Sequence, residues 1–188
     1  MPRSRTYEKH IACLESPWDS KGDNGLNVKP ILELSSKLRG IRYTHLPCRT
    51  ATEFAANLKK ISRKKSYSIL YLSFHGSSGT LQLADKSEIS LDELANELGD
   101  YFEDWIIHFG SCGTLKVKDE VLDNFIKNTG ASLLIGYKAN VYWVESAALD
   151  MLIFDYLQDY KNLKSLKKNI RASYKGLVKN TGLRFFPS

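Results

Sequence analysis

The sequence predicts an α/β protein in which helices cover both faces of a mainly parallel central sheet. Strand-like and helix-like segments alternate along the chain, and parallel strands require long crossover connections that are usually helical. Residues 67–74 are almost uniformly apolar or aromatic, as expected for a strand buried on both faces. The helix-like segments also start at capping residues and stop at glycines.

The first part of the chain predicts two strand–helix units that lead into a third strand. Asn27 can cap a first helix that Gly40 ends, and the series from Thr50 to Glu53 has the capping-box pattern for a second helix. The predicted strands cover residues 10–14, 41–46 and 67–74.

The later part continues the alternation. A short hairpin is predicted near residues 80–84, and Ser90 with Glu93 forms a second capping box. Strands are predicted over residues 105–109 and 132–137, and helices over 90–98, 117–126 and 143–160, followed by a basic helix that ends near residue 179 and a short tail. Gly130 is the expected left-handed end of the helix before the fifth strand.

Length and composition favour one domain over residues 1–188. The chain has 43% hydrophobic and 26% charged residues, which excludes a disordered chain. No apolar run is long enough to cross a bilayer and no leader is evident, so we expect no membrane association. Three cysteines without C-x-x-C spacing favour a reduced, cytoplasmic compartment.

The net charge of +6 is concentrated late in the chain, between residues 161 and 179. A solvated helix face explains such a run, and a nucleic-acid surface is the alternative. No base-reading motif or set of interleaved aromatic residues accompanies the cations. The sequence therefore argues against nucleic acid as a partner.

Two residues with catalytic chemistry follow consecutive strands of the predicted sheet. His75 ends the third strand and Cys112 follows the fourth, and reacting groups of parallel sheets gather at the carboxyl ends of strands. Cysteine attacks as the thiolate, and imidazole is the base that titrates near neutral pH. The amides of Gly76 and Cys112 are the expected oxyanion donors, and a helix starting at Cys112 would further favour the thiolate.

Other sites compete with this interpretation. We expect Cys13, Cys48, His10 and His45 to be structural, and His108, inside a strand, to lie in the core. No pair of ligands has zinc-site spacing, so no metal and no cofactor are predicted. The similar loops at residues 76–81 and 110–115 could cradle phosphate, but neither matches a known phosphate-binding motif.

The segments Phe74-His75-Gly76 and Gly110-Ser111-Cys112 resemble the His-Gly and Cys motifs of the caspase-type cysteine peptidases. The later run at residues 130–137, followed by Trp143 and a long helix, is most similar to the CHAT family within that clan. The resemblance implies a three-layer α/β/α caspase-like fold. It also implies peptide-bond hydrolysis through a thioester, with His75 as general base, Cys112 as nucleophile and no third catalytic residue.

The same resemblance implies that residues 138–145 help to bind the substrate, with Tyr142, Trp143 and Glu145 lining the pocket. A core aromatic pair with a solvated Glu145 is an equally good interpretation. Relatives specific for arginine or lysine often have an acid two positions before the nucleophile, where this chain has Gly110. Basic specificity therefore does not follow from the sequence.

Two further hypotheses remain open at this point. A caspase-like module that binds without catalysis would keep the fold and hydrolyse no peptide. The second hypothesis concerns regulation of the enzyme: three segments become ordered only when substrate or an activating protein partner binds. These segments are the loops after His75 and Cys112 and residues 138–144, and they are rich in small and polar residues that lose much chain entropy on ordering. The sequence sets neither the natural substrate nor the oligomeric state.

Overall fold

The computed structural model describes residues 8–18 and 25–187. The strands, in chain order, are β1 (His10–Glu15), β2 (Tyr43–Pro47), β3 (Tyr67–Ser73), β4 (His75–Ser77), β5 (Thr80–Gln82), β6 (Glu88–Ser90), β7 (Ile106–Phe109), β8 (Leu133–Tyr137) and β9 (Leu183–Phe186). The helices are α1 (Lys29–Arg39), α2 (Ala51–Ser62), α3 (Leu91–Leu98), α4 (Asp119–Thr129), α5 (Trp143–Asp159), α6 (Leu163–Ser173) and α7 (Lys175–Thr181), with a 3-10 turn at Gly99–Phe102.

Six of these strands form the central sheet in the order β2-β1-β3-β7-β8-β9. The first five are parallel, and β9 pairs antiparallel with β8 at the edge. Leu70 pairs with Ile107 and Leu72 with Phe109, so the third and fourth predicted strands are neighbours as expected. The predicted mainly parallel α/β fold is confirmed.

Each face of the sheet is covered by its own helices. Helices α2, α3 and α4 pack on one face around the fully buried Phe54, Leu94 and Phe125. Helices α1, α5 and α6 cover the other face, where Leu32 and Phe154 are fully buried. Because both faces are covered, the middle strands lie in a dry core.

Most of the predicted helix ends are confirmed. Ser90 and Glu93 form a complete capping box at the start of α3. At the start of α2, the Thr50 hydroxyl accepts a hydrogen bond from Glu53 N at 3.2 Å. Gly40 ends its helix in the left-handed region, with φ of 67°. The prediction for Asn27 is wrong by one residue: Val28 is the N-cap, and the Asn27 side chain accepts from the amide of Lys29.

Three predicted boundaries differ from the structure in ways that concern the site. His75 does not end β3 but begins β4, in a small antiparallel sheet of order β4-β5-β6. The late basic helix is broken at Tyr174 into α6 and α7. The tail forms the edge strand β9. Among the described residues, no helix is both long and apolar enough to span a bilayer.

Candidate active site

The turn at His75 and Gly76 packs directly on the turn that contains Cys112. A Cβ atom on Gly76 would lie 2.4 Å from Thr114 Oγ1 and 2.8 Å from the Cys112 carbonyl oxygen. These separations are too short for any side chain, so glycine lets the two backbones meet. The sheet brings them together because Gly110 N donates to Leu72 O at 2.9 Å, which extends the β3–β7 pairing beyond the strand ends.

The two glycine-rich loops hold each other through backbone and hydroxyl groups. Gly79 N donates to Thr114 O at 3.1 Å, and the Thr114 hydroxyl donates to Thr80 O at 3.2 Å. The Ser78 hydroxyl donates to Lys116 O at 2.6 Å. The Gly79 amide that a phosphate cradle would use is therefore engaged within the protein, and this contact pattern does not favour the phosphate-binding alternative.

The Cys112 sulfur lies against the segment that follows β8. Val141 N donates to Cys112 Sγ at 3.4 Å, and the thiol lies 3.8 Å from Val141 O. The next residue, Gly113, donates its amide to Ala139 O at 3.0 Å and has a φ of 63°. The expectation that Cys112 starts a helix is wrong, because it lies in a turn and α4 begins only at Asp119. A helix dipole therefore does not act on this thiol.

His75 is exposed but covered on one side by Trp18. Its Nε2 lies 2.9 Å from the Trp18 carbonyl oxygen. A carbonyl can only accept, so Nε2 carries the hydrogen and Nδ1 of the neutral ring is the free acceptor. The Trp18 ring contacts both the His75 ring, at 5.1 Å between centroids, and the Trp143 ring, at 4.9 Å.

A buried carboxylate fixes Trp18 in this position. Glu15, the last residue of β1, accepts from Trp18 Nε1 at 2.7 Å and from Val28 N at 3.0 Å through Oε1. Its other oxygen contacts His45 Nε2 at 2.5 Å. His45 thus has the structural role expected for it. Glu15 was missed by the sequence analysis, and the available signal was an acid directly after an apolar strand.

The three predicted substrate-binding residues occupy different environments. Trp143 begins α5 and packs on Trp18, one ring away from His75. Tyr142 is the N-cap of that helix and is 79% exposed. Glu145 lies in the first turn and is half-buried. The geometry therefore brings Trp143 to the site, while Tyr142 lies on the surface next to Val141.

Beneath the site, Asp150 of α5 is the centre of a buried polar cluster. Its carboxylate accepts from Tyr71 Oη at 2.6 Å, contacts His108 Nε2 at 2.6 Å, and accepts from the Tyr137 hydroxyl. Burial, reinforced by the negative Asp150, raises the pKa of both tyrosines well above the usual value. His108 thus has the core role expected for it, and Asp150 was missed.

The same cluster explains why Gly110 has no side chain. A Cβ at Gly110 would lie 2.5 Å from a ring carbon of Tyr71 and 2.7 Å from its hydroxyl oxygen. An acidic side chain at this position could not fit unless Tyr71 moved. Tyr71 is held in place by Asp150 and by stacking on His108 at 5.2 Å.

A small cavity of about 10 Å³ separates this cluster from the surface, with Trp18 and Trp143 among its walls. That volume holds about one water molecule, so the cavity is closed to a side chain while Trp18 occupies its present position. Within the described ranges, no group of three or more His, Cys, Asp or Glu side chains is arranged to hold a metal ion.

The fold is a mixed α/β fold with a mainly parallel central sheet of six strands, as in caspase-like proteins. The chain belongs to the family of unknown function DUF6642, which matches residues 8–186. No curated protein matches the chain.

Among solved structures, the chain is similar to a secreted C11 cysteine protease from Bacteroides thetaiotaomicron, "iotapain", with a TM-score of 0.52 and 13% identity. The similarity covers 71% of this chain and 53% of that protease, so the chain spans about half of the protease's length. At this identity the likeness shows the fold and not the activity.

Proposed function

We propose that this protein is a cysteine endopeptidase that uses His75 as base and Cys112 as nucleophile. The observation that supports the proposal best is the close contact of Gly76 with the Cys112 carbonyl, which keeps the two turns side by side at the carboxyl ends of β3 and β7. Both residue types are those that thiol hydrolysis needs. The C11 protease with a similar fold supports the same class of reaction.

The reaction follows from the free acceptor atom on His75. Nδ1 takes the thiol proton, and the Cys112 sulfur attacks the peptide carbonyl to give a tetrahedral oxyanion. The C–N bond then breaks, the amine leaves with the proton from His75, and a thioester remains. Water, deprotonated by His75, attacks the thioester and releases the acid and the thiol.

The amides of Gly76 and Cys112 are proposed to donate to the oxyanion, because they belong to the two turns between which the carbonyl must lie. Trp143, with Tyr142 and Glu145 nearby in sequence, is proposed to contact the substrate. Trp18 has to leave His75 before a peptide can enter, since its ring and carbonyl cover the imidazole. Ordering by an activating protein partner would meet this requirement.

A non-catalytic binding module is the second candidate, and the same closed geometry favours it. Trp18 accepts the His75 proton at 2.9 Å and the neighbouring cavity holds only about 10 Å³. A protein that never opens this site would keep the fold and the buried Asp150 cluster without hydrolysing peptides.

The CHAT-like affiliation and the cytoplasmic location remain proposals. All three cysteines are free, which suits a reducing compartment, although the protease with the similar fold is secreted.

Alkylation of the native protein tests the proposal. Burial raises the pKa of Cys48 to about 11 and that of Cys13 well above its usual value, so both should react slowly near neutral pH. We expect iodoacetamide and a peptide acyloxymethyl ketone to modify Cys112 first, as read by mass spectrometry. Cys112→Ala should abolish hydrolysis of a peptide library, whereas Cys48→Ala should retain it.

His75→Ala completes this test, because the dyad requires the base as well as the thiol. It should lower the alkylation rate of Cys112 by about tenfold or more, a loss typical of removing a general base. Preferential modification of Cys13 or Cys48, or an unchanged Cys112 rate in His75→Ala, would contradict the dyad. A folded protein that cleaves no peptide would favour the binding module.

A further inference from the structure

The charge of this protein is divided between two unequal parts of the chain. Of its 27 Lys and Arg and 21 Asp and Glu residues, residues 160–188 contain eight cations and no acid. Residues 1–159 therefore have two more acids than cations. The whole positive excess therefore lies in residues 160–188, which include α6 and α7. Solubility alone does not require the charge to be concentrated in one region.

These cations converge on one groove. Helices α6 and α7 enclose a groove of about 810 Å³, far larger than the cavity beside Trp18. Six cationic side chains line it, namely Lys164, Lys167, Lys168, Arg171, Lys175 and Lys179. Ala172 and Val178 supply apolar surface between them, and the aliphatic stems of the lysines extend it. The groove is therefore apolar inside and positive at its rim.

The six groove cations have no acidic partner within the described part of the chain. In residues 8–18 and 25–187, no carboxylate forms an ion pair with any of the six side chains. Lys167 is mostly buried and donates to the Pro187 carbonyl oxygen. Burial lowers the pKa of Lys167, and the nearby Arg171 and Lys164 lower it further. An anionic partner would relieve this mutual repulsion.

We propose that the α6–α7 groove binds an acidic, amphipathic segment of a partner protein, with apolar side chains in the groove and carboxylates against its rim. The apolar interior matches one face of such a segment, and the five exposed cations match the other. A nucleic acid fits less well, because no aromatic side chain lines the groove for base stacking.

The groove is connected to the candidate nucleophile by a short chain of backbone contacts. At the end of α7, Thr181 O accepts from Ala139 N at 3.3 Å and Gly182 O accepts from Lys138 N at 3.1 Å. Ala139 O in turn accepts from Gly113 N, and Val141 holds Cys112 Sγ. Binding at α7 should therefore alter the order of residues 138–141, and the consequence for Cys112 rests on the proposed peptidase function.

Fluorescence anisotropy with defined probes tests the docking surface. The first probe is a labelled helical peptide with Leu on one face and Glu on the others, the second is polyglutamate of equal length, and the third is a single-stranded RNA. We expect the amphipathic peptide to bind most tightly, and its affinity to fall with added salt. Tighter binding of RNA, or equal binding of the two peptides, would overturn the proposal.

A charge-matched pair of variants locates the binding. The first triple variant reverses three exposed groove cations through Lys164→Glu, Lys168→Glu and Lys175→Glu. It should lower the affinity for the amphipathic peptide by about thirtyfold, as expected for several rim charges acting together. The control combines Lys37→Glu, Lys59→Glu and Lys127→Glu, which are exposed and outside the groove. It has the same net charge and should bind within about twofold of the wild type. Equal weakening in both triple variants would show non-specific attraction and contradict the groove.

Hydrogen exchange measures the connection to Cys112 without relying on catalysis. Saturating amphipathic peptide should slow exchange at residues 138–141 and 181–182, and the groove variant should lose this protection. Binding with protection confined to α6 and α7 would keep the docking surface and contradict the link to the site. Failure of peptide hydrolysis together with intact binding would remove the proposed peptidase function and leave the docking surface standing.

Discussion

Two histidines of this protein have opposite environments: His108 lies inside β7, level with Tyr71, and His75 lies beyond the end of the neighbouring strand β3. His108 of β7 is fully buried, contacts the Asp150 carboxylate and stacks on Tyr71. His75 lies just past the end of β3, is exposed, and has a backbone carbonyl and the Trp18 ring as its neighbours. The buried ring is fixed from several sides, whereas Trp18, itself anchored by Glu15, covers the exposed ring on one side.

The difference follows from where each residue lies on the sheet. A polar group under a covered face has no access to water, so it needs fixed partners, and Asp150 supplies one for His108, Tyr71 and Tyr137. A residue beyond the strand end can remain exposed and available to a substrate. The buried cluster should therefore determine stability, and the strand-end turns should determine reactivity.

Substitution of the buried carboxylate should have the largest effect. Asp150→Asn replaces one acceptor oxygen with an amide that donates, although Tyr71, His108 and Tyr137 all need an acceptor there. We therefore expect the free energy of unfolding to fall by about 3 kcal/mol, as for a broken buried polar network. Urea denaturation measures it. Asp123→Asn on the exposed surface of α4 is the control and should change stability by less than about 0.5 kcal/mol. Equal effects would mean that the cluster is not a stabilising element.

Gly76→Ala tests the strand-end turns by a smaller change. The new methyl group would meet Thr114 Oγ1 and the Cys112 carbonyl, so we expect a cost of about 1–3 kcal/mol and slower alkylation of Cys112. Gly176→Ala is the matched control, because its Cβ meets no atom within 4 Å and the helix α7 should gain up to about 1 kcal/mol. Unchanged Cys112 reactivity in Gly76→Ala would show that the contact between the turns does not position the thiol.

Alkaline pH should reveal the buried tyrosines. The folded protein raises the pKa of Tyr71 and Tyr137 well above 10, so the unfolded chain loses these protons first as the pH rises. The contribution of these two tyrosines is fully present below about pH 10 and should fall above it by about 1.4 kcal/mol per pH unit for each tyrosine, in addition to the fall from the buried thiols of Cys13 and Cys48. Denaturation at several alkaline pH values measures this slope. Tyr71→Phe should reduce the slope above pH 10 by about 1.4 kcal/mol per pH unit, and an unchanged slope would contradict the assignment.

The sequence predicted best what depends on neighbouring residues. The apolar run of β3 and the caps at Thr50 and Ser90 are local signals, and they gave the helices and the parallel strands. The edge strand β9 was missed because its four residues pair only with β8, far away in the chain. The split of the basic helix at Tyr174 was also missed, although Gly176 lies only two residues later in the sequence.

For the site, the sequence identified His75 and Cys112 but not the residues that surround them. The contact of Trp18 with His75 joins positions that are 57 residues apart and has no periodic signal. Asp150 was hidden in a helix whose apolar residues cover most of the circumference, and nothing in the sequence distinguishes it from the three other acids of that helix. Such partners become visible only when topology brings β1, β3 and α5 together.

Trp18→Ala should have the smallest effect, and it tests the exposed histidine of the comparison, His75, directly. It removes the ring that covers His75 and contacts Trp143, while the backbone carbonyl of residue 18 remains. An aromatic pair contributes about 0.5–1.5 kcal/mol, so loss of the Trp18–His75 ring contact should make the covered state of His75 less populated by about twofold to twelvefold. We expect modification of His75 by diethylpyrocarbonate to become faster by that factor, and alkylation of Cys112 to rise with it. Pro17→Ala is the control, because it changes the preceding residue without removing a ring contact. If Trp18→Ala leaves both rates unchanged, Trp18 does not restrict access to His75.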